Sequence, residues 1–329
     1  MPTMKNPGQV DHVRRGMCAA LAGLLVAWRD NIFVEEANSA ANYGGKLIAR
    51  EFLTPNSDIQ ALNQQYADLC NHIFLSSKTE ITEFICPDKW KDPHGRIVPP
   101  DWALPNGTST YGHEAAVFTS TFSFLTASMG FSKEVGDKFP DPTDGNSKIS
   151  LGSGSSNEFS ELILGKPASP RFAGTGFSLH YAIGRSEKKL KRKQYGIELG
   201  PYNAHTIRDA DGKTLFEPKS THGFQTDDYL LVTRIPGFQE GSTITIFSGL
   251  HGPGTRAAEL LFSGKLGPRT LERLAGAIGL ENRKVPHFQA VFRASGFRSD
   301  LADDTTDSDV ATQIELVDSR ECPPVRLGD

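Results

Sequence analysis

The titratable residue with the most reactive setting in this chain is His251. It stands in "TITIFSGLHGPGTRAAELLF", where an apolar run reads as a strand, a loop carries Gly249, Gly252 and Gly254, and a helix opens near Thr255. A loop histidine exchanges protons near neutral pH and serves as acid, base or hydrogen-bond partner. A second strand–loop–helix junction lies upstream in "KISLGSGSSNEFSELILG". Its loop holds Gly152, Ser153, Gly154, Ser155, Ser156 and Asn157, with Asn157 or Ser156 as the expected helix cap. In open α/β sheets, ligands sit at the carboxyl ends of strands. Glycines there let the backbone approach a phosphate, and hydroxyls add donors. The candidate ligand contacts are therefore residues 152–157 together with Ser248, Gly249, His251, Gly252, Gly254 and Thr255. The plain alternative is that such turns hold Gly, Ser and Thr for steric and capping reasons, with His251 bonded only to backbone.

Three carboxylates compete for a catalytic role. Glu158 and Glu161 follow the first loop three residues apart, on one helical face, and Glu198 ends the strand-like run at 195–199. A carboxylate beside such a loop stabilises positive charge developing on a ribose ring, as in glycoside cleavage. The catalytic candidates are thus Glu158, Glu198 and His251. A histidine and glycine after a buried strand also resembles caspase-like cysteine proteases. Their nucleophilic cysteine ends the next core strand, and "HFQAVFRASG" has none.

No metal site is expected. Asp209 and Asp211 in "DADG" read as a hairpin turn, and Asn203 and His205 have no further ligand set beside them. Cys70, His72, Cys86 and His94 are irregularly spaced for zinc. "RSEKKLKRK" at 185–193 reads as a solvated hairpin tip or a local surface for an acidic partner, because no aromatic residue interleaves in it and the net charge is negative.

These junctions need a scaffold. The chain has 329 residues, 38% hydrophobic and 22% charged, which is globular composition. Its net charge of −4 makes nucleic acid an unlikely partner. Four scattered cysteines without a C-x-x-C pair suit a reducing, cytoplasmic setting. The apolar run at 16–28 is too short to span a bilayer and is followed by Arg29, Asp30 and Asn31, so a buried helix is expected there and no membrane association.

Helical periodicity is expected over 11–28, 34–52, 57–74 and 111–129, with a proline-rich connection lacking regular structure at 76–108. Beyond a linker at 140–147, strands are expected at 148–151, 177–183, 195–199, 229–235, 243–248 and 288–294, and helices at 156–164, 255–262 and 268–278. "FQAVFRASGF" and "VATQIELVD" flank an acidic run and read as an antiparallel edge hairpin. The expected fold class is α/β: a Rossmann-like, mixed but mostly parallel sheet domain over 147–329, preceded by an N-terminal α-helical region over 1–140 for assembly or partner contact.

"ISLGSGSSNEFSELIL", with the later "YLLVTRIP" and "TITIFSGLHGPGTRAAELL", resembles the Rossmann-like modules of nucleoside 2-deoxyribosyltransferase-like and related nucleotide-sensing proteins of prokaryotic signalling and defence systems. The resemblance covers 148–295. It implies a nucleotide-derived ligand at the first loop and, in some members, N-glycosidic cleavage by a glutamate. No clear motif surrounds that glutamate here. Three functions follow as expectations. The first is binding of a nucleotide-derived or phosphorylated small molecule of unassigned identity, as a sensor or effector. The second is an N-glycosidic bond-cleaving enzyme. The third is a ligand-free scaffold whose helical half forms a homo-oligomer or takes a protein partner.

Overall fold

In the computed structural model the described residues are 69–70, 72–74, 82–85, 143, 145–194, 197–262, 267–280, 285–297 and 311–325, with side chains at 82–84 and 192–200 outside the description. All of them belong to one unit, Gln65–Asp329. The strands in chain order are β1 (Thr82–Ile85), β2 (Ser147–Leu151), the short β3 (Gly165–Lys166), β4 (Ser169–Pro170), β5 (Ala173–Gly174) and β6 (Phe177–Ser178), then β7 (Ala182–Gln194) and β8 (Ile197–Arg208). They continue with β9 (Thr214–Phe216), β10 (Ser220–Thr221), β11 (Phe224–Gln225), β12 (Asp227–Pro236), β13 (Thr243–Gly249), β14 (Phe288–Ser295) and β15 (Gln313–Glu321). Helix α1 (Glu158–Leu164) follows β2, and α2 (Gly252–Arg256), α3 (Ala258–Leu261) and α4 (Gly267–Ala277) follow β13.

A six-stranded sheet runs β1-β2-β13-β12-β14-β15, and a five-stranded sheet runs β10-β11-β7-β8-β9. In the first, β1, β2 and β13 are parallel, whereas β12, β14 and β15 pair antiparallel. In the second, only the single β11–β7 contact is parallel. The described region is therefore mostly β and mixed, and the Rossmann-like, mostly parallel expectation is corrected. The reason is chain length between strands. A parallel crossover needs a dozen or more residues, but β12 and β13 are joined by the tight turn at 237–242, where Gly241 has φ 87 and the Ser242 N–H donates to the Gln239 carbonyl. Those two strands have to form a hairpin.

The expected helical region of 1–140, with its assembly role, lies outside the described residues except at 69–70 and 72–74, which are helical, and at β1. β1 is a second correction. It lies inside the stretch 76–108 expected to lack regular structure, and it pairs in register with β2 from Thr82↔Ser147 to Ile85↔Ser150.

Core placement follows from strand parity. β12 and β13 are buried almost end to end, as strands covered on both faces must be. On one face Ile149, Leu151, Leu230, Val232, Phe247, Phe288, Ala290 and Phe292 join Cys70, Ile73 and Phe74, together with α2–α4 residues Ala257, Ala258, Leu261, Leu271 and Leu274. On the other, Ile235, Ile244 and Ile246 meet Phe159, Ile163 and Leu164 of α1. Tyr229, Leu231 and Val291 meet Tyr181, Ile183 and Ile207 beside the second sheet. From Gln313 to Asp318, β15 alternates exposed residues with buried or half-buried ones, in keeping with its edge position in an antiparallel pair with β14.

One buried amide fastens the chain leading into β7 onto the first sheet. Gln289, fully buried, accepts through Oε1 from the His180 and Tyr181 N–H groups (2.7 and 2.8 Å). Its Nε2 donates to the Tyr181 carbonyl (2.9 Å) and Thr233 Oγ1 (3.0 Å). Gln289→Leu keeps the volume and leaves these groups unpaired. The expected loss is about 2–4 kcal/mol, checked by urea unfolding monitored by circular dichroism.

Candidate binding site at the strand ends

The first loop is built by its own hydrogen bonds. Gly152, at φ 93, leaves β2 and donates its N–H to the Phe247 carbonyl (2.9 Å). The Ser153 carbonyl accepts from the Ser156 and Asn157 N–H groups (2.9 and 3.0 Å), while Ser153 Oγ lies 2.6 Å from Ser155 Oγ. Gly154 has no room for a side chain, since a Cβ would lie 2.0 Å from the Gly165 carbonyl oxygen. Asn157, fully buried, caps α1 by accepting from the Ser160 N–H (3.1 Å), and its Nδ2 donates to the carbonyls of Leu151 (2.8 Å) and Ile85 (3.4 Å). Asn157 is thus the joint between β1, β2 and α1. Ser155 and Glu158 are exposed and Ser156 half-buried, so the outward-facing groups of this loop are hydroxyls and one carboxylate.

The second loop is organised by a residue that the sequence reading did not single out. Asp228, near the start of β12, has no exposed surface. Its carboxylate accepts from the Tyr229 N–H (2.9 Å), the Gly254 N–H (2.9 Å) and His251 Nδ1 (3.3 Å). His251 Nε2 in turn accepts from the His205 backbone N–H (3.1 Å). Of the two ring nitrogens, Nε2 is thus placed to accept from this N–H and Nδ1 faces the Asp228 carboxylate. The His251 side chain is only 7% exposed. The Gln225 amide lies 3.2 Å from Nδ1 and takes the Tyr202 hydroxyl on Oε1 (2.9 Å). Thr255 Oγ1 accepts from the Gly249 N–H (3.0 Å), closing the loop on itself. His251 is therefore a clamp between β12, the loop and the second sheet, with both ring nitrogens occupied.

His205 completes the clamp from β8. Its ring stacks on His251 at 5.5 Å with an interplanar angle of 11°, and its Nδ1 donates to the Leu250 carbonyl (2.9 Å). Tyr202 meets the His251 ring edge-on at 5.3 Å. Burial holds the His205 pKa below the usual histidine value, and the neighbouring His251 acts in the same direction. The signals available in the sequence were faint: an acidic pair directly before the apolar run "YLLVTRIP", and His205 among the residues weighed for a metal.

The two loops are neighbours, because β2 and β13 pair in parallel from Ile244↔Lys148 to Phe247↔Leu151. Ser248 Oγ donates to the Gly152 carbonyl (3.0 Å) and ties one loop to the other. From these adjacent ends the chain leaves on opposite faces. α1 packs with Ile244 and Ile246, whereas α3 packs with Phe247 and Leu151. In open α/β sheets, helices that part in this way flank the strand ends where ligands sit.

The remaining expected residues do not converge there. Glu161 pairs with Lys166 (3.1 Å) on the outer side of α1. Glu198 sits at the amino end of β8 opposite Lys193, not at a carboxyl end, and its side chain is outside the described residues. Cys70 is buried while His72 is exposed, so they do not share a face, and Cys86 and His94 lie outside the described residues.

Two outcomes are expected. His251→Ala leaves a fully buried carboxylate short of its side-chain donor and the His205 N–H short of its acceptor, costing about 2–4 kcal/mol in denaturant unfolding. The depressed His205 pKa means that the unfolded chain binds a proton more readily than the folded one. This contribution is neutral above the ordinary histidine pKa and destabilises progressively as pH falls below about 6.5. The Tm is expected to fall between pH 7.5 and 5.5 by more in the native chain than in His205→Gln, measured by scanning fluorimetry.

No family model, no curated protein and no solved structure matches this chain.

Proposed function

We propose that the ends of β2 and β13 form a crevice that binds a nucleotide-derived or phosphorylated small molecule, and that the chain acts as a sensor or effector of that ligand. The observation carrying this reading is that the chain leaves the adjacent parallel strands β2 and β13 toward opposite faces, where α1 and α3 pack. This is the arrangement that opens a ligand crevice in α/β sheets. Ser155 supplies an exposed hydroxyl at its mouth, and the tight glycines Gly154 and Gly254 let the backbone form its walls. A Cβ on Gly254 would lie 2.6 Å from Asp228 Oδ2.

Binding is favoured over N-glycosidic cleavage by the state of the ionisable groups. Asp228 already accepts three hydrogen bonds, and His251 has no free nitrogen with which to move a proton. Glu158 is left as a single exposed carboxylate. Among the described residues no helix is long and apolar enough to cross a membrane. A reducing, cytoplasmic setting belongs to the same reading and is supported by the free, buried thiol of Cys322.

A thermal-shift screen with NAD, cyclic nucleotides and nucleoside phosphates at millimolar concentration tests the proposal. Ligand at about 100 times its Kd stabilises by about 2.7 kcal/mol, a shift of several degrees for a domain of this size. Ser155→Asp places a negative charge at an exposed position and is expected to weaken a phosphate ligand at least about tenfold with the fold intact. A panel in which no member raises the Tm contradicts the proposal.

A further inference from the structure

A buried guanidinium needs an opposite charge or a full set of hydrogen bonds. Arg234, on β12, is 5% exposed and has neither among the described residues. Its Nη1 donates to the neutral carbonyls of Val285 (3.4 Å) and Pro286 (3.2 Å). Its Nε is sealed from solvent without any partner. Among the described residues no carboxylate pairs with it, and burial alone pulls its pKa down to about 10, which leaves it charged at neutral pH. The residues opposite it on the neighbouring strands are Thr245 and Phe288. The Thr245 hydroxyl is committed to the Phe74 carbonyl (2.9 Å), and Phe288 is apolar and fully buried. Neither can neutralise the charge.

We propose that Arg234 is the binding residue for a small oxyanion, a carboxylate or phosphate group, seated on the Nε–Nη2 edge of the guanidinium. That edge presents two parallel N–H donors, the fork that matches two oxygens of such an anion, and Nη1 is held away from it by the 285–286 carbonyls. The site stands apart from the crevice. Arg234 lies six residues along β12 from Asp228, about 20 Å at strand rise, toward the opposite end of the sheet.

The test is the Tm of the full chain at pH 7.5 in sodium phosphate and in sodium acetate, each against sodium chloride at matched ionic strength. Phosphate stabilises many proteins by exclusion from their surface, so the reading is the difference between the native chain and Arg234→Met. The native chain is expected to gain a few degrees in phosphate or acetate beyond Arg234→Met, and Arg234→Met is expected to melt no lower than the native chain in chloride. Should the Met variant not fold, Arg234→Lys, which keeps the charge and loses the fork, is expected to lose most of the anion-specific gain. Ser155→Asp is expected to keep it in full, separating this site from the crevice. An equal response in the native chain and the Arg234 variants overturns the proposal, as does a native Tm unchanged by either anion.

Discussion

The carboxylate of Asp228 is the interaction on which this architecture turns. An ionised group with no exposed surface persists only when its oxygens are filled by donors of good geometry. The three donors here come from different places: the next residue of its own strand, the helix after β13, and the ring of His251. His251 passes the connection on to β8 through the His205 N–H. A single buried charge thereby fixes the angle at which the chain leaves β13, the closeness of α2 to β12, and the seating of the second sheet over that edge. The glycine at 254 follows from the same constraint, because the carboxylate approaches where a side chain would begin.

Much of the central sheet was legible from the sequence, because apolar β-branched runs mark buried strands whatever their neighbours. The runs at 148–151, 229–235, 243–248 and 288–294 became β2, β12, β13 and β14 with small extensions. The edge hairpin of β14 and β15 was legible too, since alternation shows one solvated face. Strand direction was misread. The turn joining β12 and β13 was too short for a crossover, and loop length outranks the prior that strands alternating with helices lie parallel. β1 was hidden because its run "TEFI" is brief and proline-flanked, and only its pairing with β2 reveals it. The basic stretch 185–193, read as a hairpin tip, instead runs through β7. Charged residues carry little strand signal of their own, and there the long pairing with β8 decides.

The candidate site was legible as a place and not as a mechanism. Glycine, serine and histidine after apolar strands marked two loops, and these lie side by side, tied by Ser248 and Gly152. What each residue does there depends on partners distant in sequence, which no local pattern contains. Asn157 reads as a cap but also joins β1 to β2, and His251 reads as an acid–base group but is filled on both nitrogens. Asp228, Gln225 and Tyr202 carry no motif at all. Burying polar groups this completely favours a rigid, pre-shaped wall over a proton-transfer site, which is why binding takes precedence over catalysis in the functional reading.

Amide hydrogen exchange in Asp228→Asn, resolved by residue, tests the central coupling most directly. Asparagine keeps the shape and removes the charge that holds the three donors. If one carboxylate seats both the loop and the second sheet, exchange should accelerate at Gly254 and at His205 together, while the β14 amides keep their protection. Faster exchange confined to Tyr229 and Gly254, with His205 as protected as in the native chain, would contradict it.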